Sequence, residues 1–75
     1  MNRPDLVRMA NQIADFHAPY PAPEAEEGVA RHIRDFCDPR MRAELAGILA
    51  AGGDGLSPLA LAGARRAVAS EAADA

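Results

Sequence analysis

Apolar side chains recur at helical spacing in four segments of this chain, and no segment shows the alternation of a β-strand. In the first segment, residues 5–17, Leu6 and Ile13 fall on one side and charged residues fall mostly on the other. This pattern predicts an amphipathic helix. Asn2 or Pro4 supplies a suitable start for it.

Three alternating prolines separate the first segment from the second. They predict an extended, semi-rigid connector over residues 18–23, which we interpret as a spacer rather than a docking motif. A second helix is expected to begin near Glu24 and to stop near Asp38, because the residue before a proline is disfavoured in the helical conformation. Its apolar stripe includes Val29 and Ile33.

A helix start signal occurs twice, since Asp38 and Ser57 can each cap a helix whose first residue is the following proline. These signals predict a third helix over residues 39–51, which a glycine pair ends, and a fourth over residues 58–69. The apolar stripe of the fourth helix, which consists of Leu59, Leu61, Ala62 and Val68, is weak, and we expect fraying beyond Ser70.

Together the segments predict an all-α fold, a small bundle of three helices plus a weaker C-terminal fourth helix. Residues 1–75 are expected to form a single small helical domain, with an ordered core over about 4–69 and a frayed tail over 70–75. A chain of 75 residues buries only about 60% of the surface that its unfolded form exposes. Its core is therefore expected to be thin.

The composition concentrates the large side chains in very few positions. Hydrophobic residues make up 49% of the chain, but many of them are alanines, which contribute little burial. The aromatic residues are Phe16, Tyr20 and Phe36. Each is expected to anchor either the core or an interface, and the core is favoured for the two phenylalanines.

The charge balance argues against nucleic acid as a partner. The chain has 8 basic residues, all arginine, and 11 acidic residues, with a net charge of -3. Nucleic-acid binding needs a concentrated basic face. No apolar run has the length of a membrane span or the pattern of a leader, so a cytoplasmic location without membrane association is predicted.

Candidate catalytic residues are few. His17 and His32 lie on different predicted helices, and no serine or cysteine near either suggests a nucleophile–base pair. The single Cys37 excludes an internal disulfide and a cysteine-based metal site, and it is expected to be a small buried apolar group. We therefore predict a non-catalytic chain that binds no cofactor or metal.

Four polar residues are candidates for interactions. Arg40 and Arg42 follow Pro39 in the first turn of the third helix, whose dipole gains nothing from arginine. This position suggests a partner with negative charge, although solvation is the simpler interpretation. The amides of Asn11 and Gln12 border an apolar stripe and are expected to bind either the loop after the second helix or the backbone of a partner.

Four stretches of the chain occur in the order and spacing of a known family: LVRMANQIADF at 6–16, GVARHI at 28–33, FCDPRMR at 36–42 and GGDGLSP at 52–58. The chain thereby resembles the delta subunit of NAD-dependent, molybdenum-containing formate dehydrogenases, over about residues 4–60. Cys37 is a departure, since the family usually has tryptophan at that position.

The resemblance implies a small accessory subunit that binds and stabilises the large molybdenum-containing catalytic subunit. Formate oxidation and NAD reduction would occur on other subunits, which would hold the bis-molybdopterin guanine dinucleotide, the iron–sulfur clusters and FMN. A transient assembly or cofactor-insertion chaperone is an alternative, and a small helical nucleic-acid-binding regulator is a weaker one. The residues expected to bind the partner are Asn11, Gln12, Phe16, Phe36, Arg40 and Arg42.

Overall fold

The protein folds into four α-helices: α1 (Arg3–His17), α2 (Ala22–Phe36), α3 (Pro39–Ala50) and α4 (Pro58–Asp74). The structure, a computed structural model, describes residues 2–74 and the side chains of residues 2–69. Strands are absent from this described part, so the predicted all-α bundle is confirmed. Within the same part, no helix has the length and hydropathy needed to cross a bilayer.

Three of the helices begin at the capping residues that the sequence predicts. The side chains of Asn2, Asp38 and Ser57 accept hydrogen bonds from backbone N–H groups three residues further along, at 2.9, 2.8 and 3.2 Å. Each bond satisfies an N–H group that has no acceptor within its own helix. The starts of α1, α3 and α4 are therefore determined by local chemistry.

The start of α2 differs from its prediction. The helix begins at Ala22 rather than near Glu24, with Pro21 as its N-cap and Pro23 in its first turn. Proline is compatible with a first turn, because the N–H group that it lacks would have no acceptor there. The connector after α1 is consequently shorter than predicted.

The core consists of aliphatic and small side chains from all four helices. Its largest fully buried members are Leu6 of α1, Val29 and Ile33 of α2 and Leu45 of α3. Cys37 is also buried, at 3% exposure, as expected for a small apolar side chain. No buried polar or charged residue accompanies them among the residues whose side chains the structure describes.

Helix α4 contributes more to the fold than predicted, because it packs through its smallest side chains. Ala60, Ala64 and Ala67 are fully buried and follow one another at helical spacing. Gly63 lies on the same side, and a Cβ atom there would overlap with Cγ1 of Val29. This close approach makes α2 and α4 the most extensively packed pair of helices.

The stripe predicted for α4 is not its core face. Its side chains are only partly buried: Leu59, Leu61, Ala62 and Val68. The helix also extends to Asp74, beyond the predicted end near residue 69. Fraying beyond Ser70 stays a prediction, and Ala75 lies outside the described residues.

The expectation that the phenylalanines form the core is wrong. Phe16 is 73% exposed and Phe36 is 70% exposed, while Tyr20 is 54% exposed. The two phenylalanines lie at the carboxyl ends of α1 and α2, beside a core made of alanines and aliphatic residues. Helices that approach closely through alanine and glycine leave too little space between them for a phenyl ring.

Candidate interaction surface

Two exposed phenylalanines and both histidines form one continuous cluster on α1 and α2, which we call the aromatic ridge: Phe16, His17, His32 and Phe36. The ring of His32 stacks on Phe36, with 4.4 Å between centroids and 15° between planes. His17 meets Phe16 edge to face at 5.3 Å and lies 6.2 Å from His32. Tyr20 lies outside the ridge, in the connector after α1, with its ring centroid 6.3 Å from that of His17.

Two adjoining grooves flank this ridge and share His32 and Phe36. The apolar groove encloses about 320 Å³ and is lined by Met9, Gln12, Ile13, Phe16, His32 and Phe36. The acidic groove encloses about 550 Å³ and is lined by His17, Pro23, Glu24, Glu27, Gly28, Arg31, His32, Asp35 and Phe36. The surface therefore combines exposed rings with a carboxylate-rich flank.

Within the described residues, one carboxylate of the acidic groove is paired with an arginine, and two others are not. Glu27 pairs with Arg34 of the same helix, at 3.0 Å. Glu24 and Asp35 form no ion pair with any residue that the structure describes. Among the described residues that line this groove, Arg31 is the only arginine or lysine. The groove therefore presents a net negative surface beside the exposed rings.

His17 is placed by a glycine rather than by a helix end alone. A Cβ atom at Gly28 would lie 2.5 Å from Nδ1 of His17, so the imidazole fits only because that position has no side chain. The Nε2 atom is buried and has no hydrogen-bond partner within the described residues. His17 thus belongs to the ridge and also fills the contact between α1 and α2.

Arg42 contacts groups of partial negative charge in its own chain. Its guanidinium donates hydrogen bonds to the backbone carbonyl oxygens of Arg34, at 3.3 Å, and of Cys37. These carbonyls belong to the carboxyl end of α2, which carries partial negative charge. Arg40, in contrast, is exposed and forms no hydrogen bond or ion pair within the described part. The corner itself therefore accounts for the position of Arg42.

The predicted amides have different surroundings. Asn11 donates from Nδ2 to the carbonyl oxygen of Gly55 at 2.9 Å, and its Oδ1 accepts from the N–H of Ser57 at 2.8 Å. These bonds join α1 to the loop between α3 and α4, not to the loop after α2 as the sequence analysis expected. Gln12 is exposed and lines the apolar groove.

Cys37 has the surroundings of an unreactive thiol. Its burial raises its pKa above the ordinary value of 9.0. The neighbouring Asp38 carboxylate raises this pKa further, while the Arg42 guanidinium opposes both effects. Because the thiolate is the nucleophilic form, a raised pKa disfavours reaction at this side chain. This agrees with the interpretation of Cys37 as a structural residue.

The structure therefore brings Gln12, Phe16 and Phe36 together and places Arg40 elsewhere. Sequence reasoning missed the contribution of His32 and Met9 to the same surface. A usable signal existed for His32, because residues four apart on a helix lie on one face, and Phe36 follows it at that spacing. Contact of these residues with a partner stays a prediction.

A comparison with protein families finds a match over residues 5–64 to the family described as the NADH-dependent formate dehydrogenase delta subunit, FdsD. This range includes the whole aromatic ridge and the loop that Asn11 holds. The match confirms the resemblance that the sequence motifs indicate. No curated protein and no solved structure matches the chain.

Proposed function

The chain belongs to the NADH-dependent formate dehydrogenase delta subunit family, and we propose that it is an accessory subunit that binds and stabilises the large molybdenum-containing subunit. The observation that carries the proposal is the exposure of both phenylalanines on one surface, the aromatic ridge. Exposed apolar patches mark interaction sites, and buried aromatic side chains supply much of the binding energy at interfaces.

The proposal assigns the redox chemistry to other subunits. Iron–sulfur clusters are typically held by four cysteine thiolates. This chain has one cysteine, which is buried and has a raised pKa. The residues present do not fit such a cluster, which supports a non-catalytic role. We therefore propose that the bis-molybdopterin guanine dinucleotide, the iron–sulfur clusters and FMN are bound by the partner subunits.

Mass action gives the physical basis for stabilisation. A subunit that binds only the folded form of its partner lowers the free energy of that form by an amount set by concentration and affinity. An aromatic surface that loses water on binding supplies such affinity. Removal of this chain is therefore expected to shorten the half-life of formate dehydrogenase activity during heating.

Purification through a tag on this chain tests the proposal. Recovery of active formate dehydrogenase with the tagged chain in stoichiometric amount is the expected result. Recovery of cofactor-free enzyme alone would support the transient assembly chaperone instead. The absence of any formate dehydrogenase subunit would overturn both. The proposal also includes a cytoplasmic location, which cell fractionation of the tagged chain checks.

A further inference from the structure

The two grooves beside the aromatic ridge offer different chemistry at one continuous surface. The apolar groove lies between Phe16 and Phe36, with Met9 and Ile13 in its lining. The acidic groove begins at Phe36 and carries Glu24 and Asp35. A segment that crosses Phe36 would therefore place one side chain among apolar atoms and its neighbour beside carboxylates.

The free carboxylates indicate the charge of the occupant. Glu24 and Asp35 have no ion-pair partner among the described residues, whereas Glu27 is paired with Arg34. A cationic side chain of the partner would gain close attraction from Asp35, which precedes Phe36 in the chain, and weaker, longer-range attraction from Glu24, which lies roughly 16 Å away along α2. It could also contact the face of Phe36 opposite His32, since a cation is attracted to an aromatic face.

We infer that the ridge receives a segment of a formate dehydrogenase subunit in which an apolar side chain stands beside an arginine or lysine. The apolar side chain lies between Phe16 and Phe36, and the cation lies against Asp35, with Glu24 farther along the acidic groove. This inference rests on the proposed function, because it takes the segment from a subunit of that complex.

Charge also argues against a second copy of this chain as the occupant. A symmetric dimer through the ridge would place the same surface patch on both sides of the interface. The net-negative grooves of the two copies would then face the same interface, and like charges across an interface disfavour association. A basic segment meets no such repulsion.

Truncation of the rings provides the first test, with affinity measured between the large subunit and each variant of the full chain. Phe16→Ala and Phe36→Ala are each expected to raise the Kd by about tenfold or more. Tyr20→Ala is the matched control, because Tyr20 is an exposed aromatic residue that lines neither groove. Equal effects of all three changes, or no effect of either phenylalanine change, would overturn the inference.

Charge reversal tests the cationic neighbour separately. Asp35→Lys is expected to weaken binding by about tenfold and the more distant Glu24→Lys by a smaller factor, and added salt should weaken binding of the unaltered chain. Glu44→Lys makes the same charge change at an exposed position on α3 and should leave the Kd within about threefold. Equal losses at Glu24, Asp35 and Glu44 would contradict the assignment of the acidic groove.

A photo-cross-link identifies the occupant directly. Phe36→p-benzoylphenylalanine is introduced into the tagged chain, the assembled complex is irradiated, and the linked peptide is identified by mass spectrometry. The expected peptide comes from a formate dehydrogenase subunit and has an apolar residue next to arginine or lysine. A link to a second copy of this chain, or to a segment without basic residues, would overturn the inference.

Recovery of the complex distinguishes a wrong groove assignment from a wrong accessory role. If the unaltered chain recovers the complex but the groove variants recover it equally well, the groove assignment is wrong and the accessory role stands. If the unaltered chain recovers no formate dehydrogenase subunit, the proposed function itself is wrong. Circular dichroism of each variant confirms that a lost interaction does not reflect unfolding.

Discussion

The guanidinium of Arg42 lies where the end of α2 meets the start of α3. The dipole of its own helix disfavours a cation in the first turn, but the carbonyls at the end of α2 attract one. The hydrogen bonds to the carbonyls of Arg34 and Cys37 offset the unfavourable interaction with the dipole of α3. Because Asp38 caps α3 from the same corner, the two side chains together hold both helix ends.

Loss of these bonds should lower the stability of the chain. We expect Arg42→Ala to reduce the free energy of unfolding by about 1–3 kcal/mol, since its removal leaves partly buried carbonyls without their charged donor. Urea denaturation followed by circular dichroism measures the change. Arg40→Ala is the control and should alter stability by about 0.5 kcal/mol or less, because Arg40 is exposed. Equal losses would show that the corner bonds contribute nothing specific.

The thiol of Cys37 should react slowly in the folded protein. Burial raises its pKa, so less thiolate forms at a given pH than in the unfolded chain. Labelling with a chromogenic disulfide at about pH 8 is therefore expected to be at least about tenfold slower without urea than with it. Similar rates in both conditions would show that the side chain is accessible in the folded state.

The same raised pKa predicts the sign of a pH dependence. The folded state favours the protonated thiol, so this contribution to stability is complete below the ordinary pKa of 9.0. It is lost as the pH rises through the higher pKa of the folded state. Cys37→Ala should remove this part of the alkaline destabilisation, which unfolding curves at several pH values measure.

At the scale of elements, the contact between α2 and α4 depends on the absence of side chains. Gly63 and the buried alanines of α4 allow the helix to approach Val29 directly. Close packing of this kind gains dispersion energy over many small contacts, although no single side chain contributes much. A methyl group added at the contact must therefore displace a neighbour.

Two glycine substitutions separate packing from helix propensity. Gly63→Ala should lower stability by about 1–3 kcal/mol, because the new Cβ overlaps with the side chain of Val29. Gly47→Ala should raise stability by about 0.5–1 kcal/mol, because nothing lies within 4 Å of the new Cβ and alanine favours a helix. Thermal unfolding of both variants measures the difference. A stabilising Gly63→Ala would show that the helices have room to separate without loss.

These elements show what the sequence can predict. The bounds of α1, α3 and α4 depend on caps and prolines that act within a few residues, so local patterns predict their starts. The end of α3 is predicted equally well, since Gly52 and Gly53 adopt positive φ values of 112° and 71°. The alanine face of α4 was missed because alanine carries little hydrophobic signal, although its small size is what permits the contact.

The aromatic ridge was predicted only in part, and for a related reason. General burial preferences place phenylalanine inside, but they take no account of how closely neighbouring helices approach. Phe16 and Phe36 lie outside because the core beside them is already filled. Their meeting depends on the packing of α1 against α2, which no pattern within one helix encodes.

At the scale of the whole molecule, the core consists of small and aliphatic residues, and the aromatic residues are exposed. Alanine burial contributes little per residue, and a chain of 75 residues buries a modest share of its surface. The phenyl rings of the ridge therefore remain exposed, as apolar surface that folding of this chain does not bury. Covering it with a partner would add to the stability of this chain by mass action.

Hydrogen exchange of the α2 amides separates the stability of the free chain from the stability that the partner adds. In the complex, exchange should report a gain of about 2.7 kcal/mol when the partner is present at about 100 times its Kd. Phe36→Ala should leave exchange in the free chain nearly unchanged, because the ring is 70% exposed there. It should reduce the gain in the complex by about 1.4 kcal/mol for each tenfold loss of affinity.

Exchange in the free chain and in the complex distinguishes two roles of Phe36, because a structural role and a docking role predict different effects of Phe36→Ala. If the ring supports the fold, its truncation should lower the exchange protection of the α2 amides equally in the free chain and in the complex. If the ring contacts the partner, its truncation should lower the protection of these amides only when the partner is present. Equal losses at Phe36 in both states would therefore exclude the ridge as the docking surface, whereas a loss confined to the complex assigns the exposed phenylalanine to the partner.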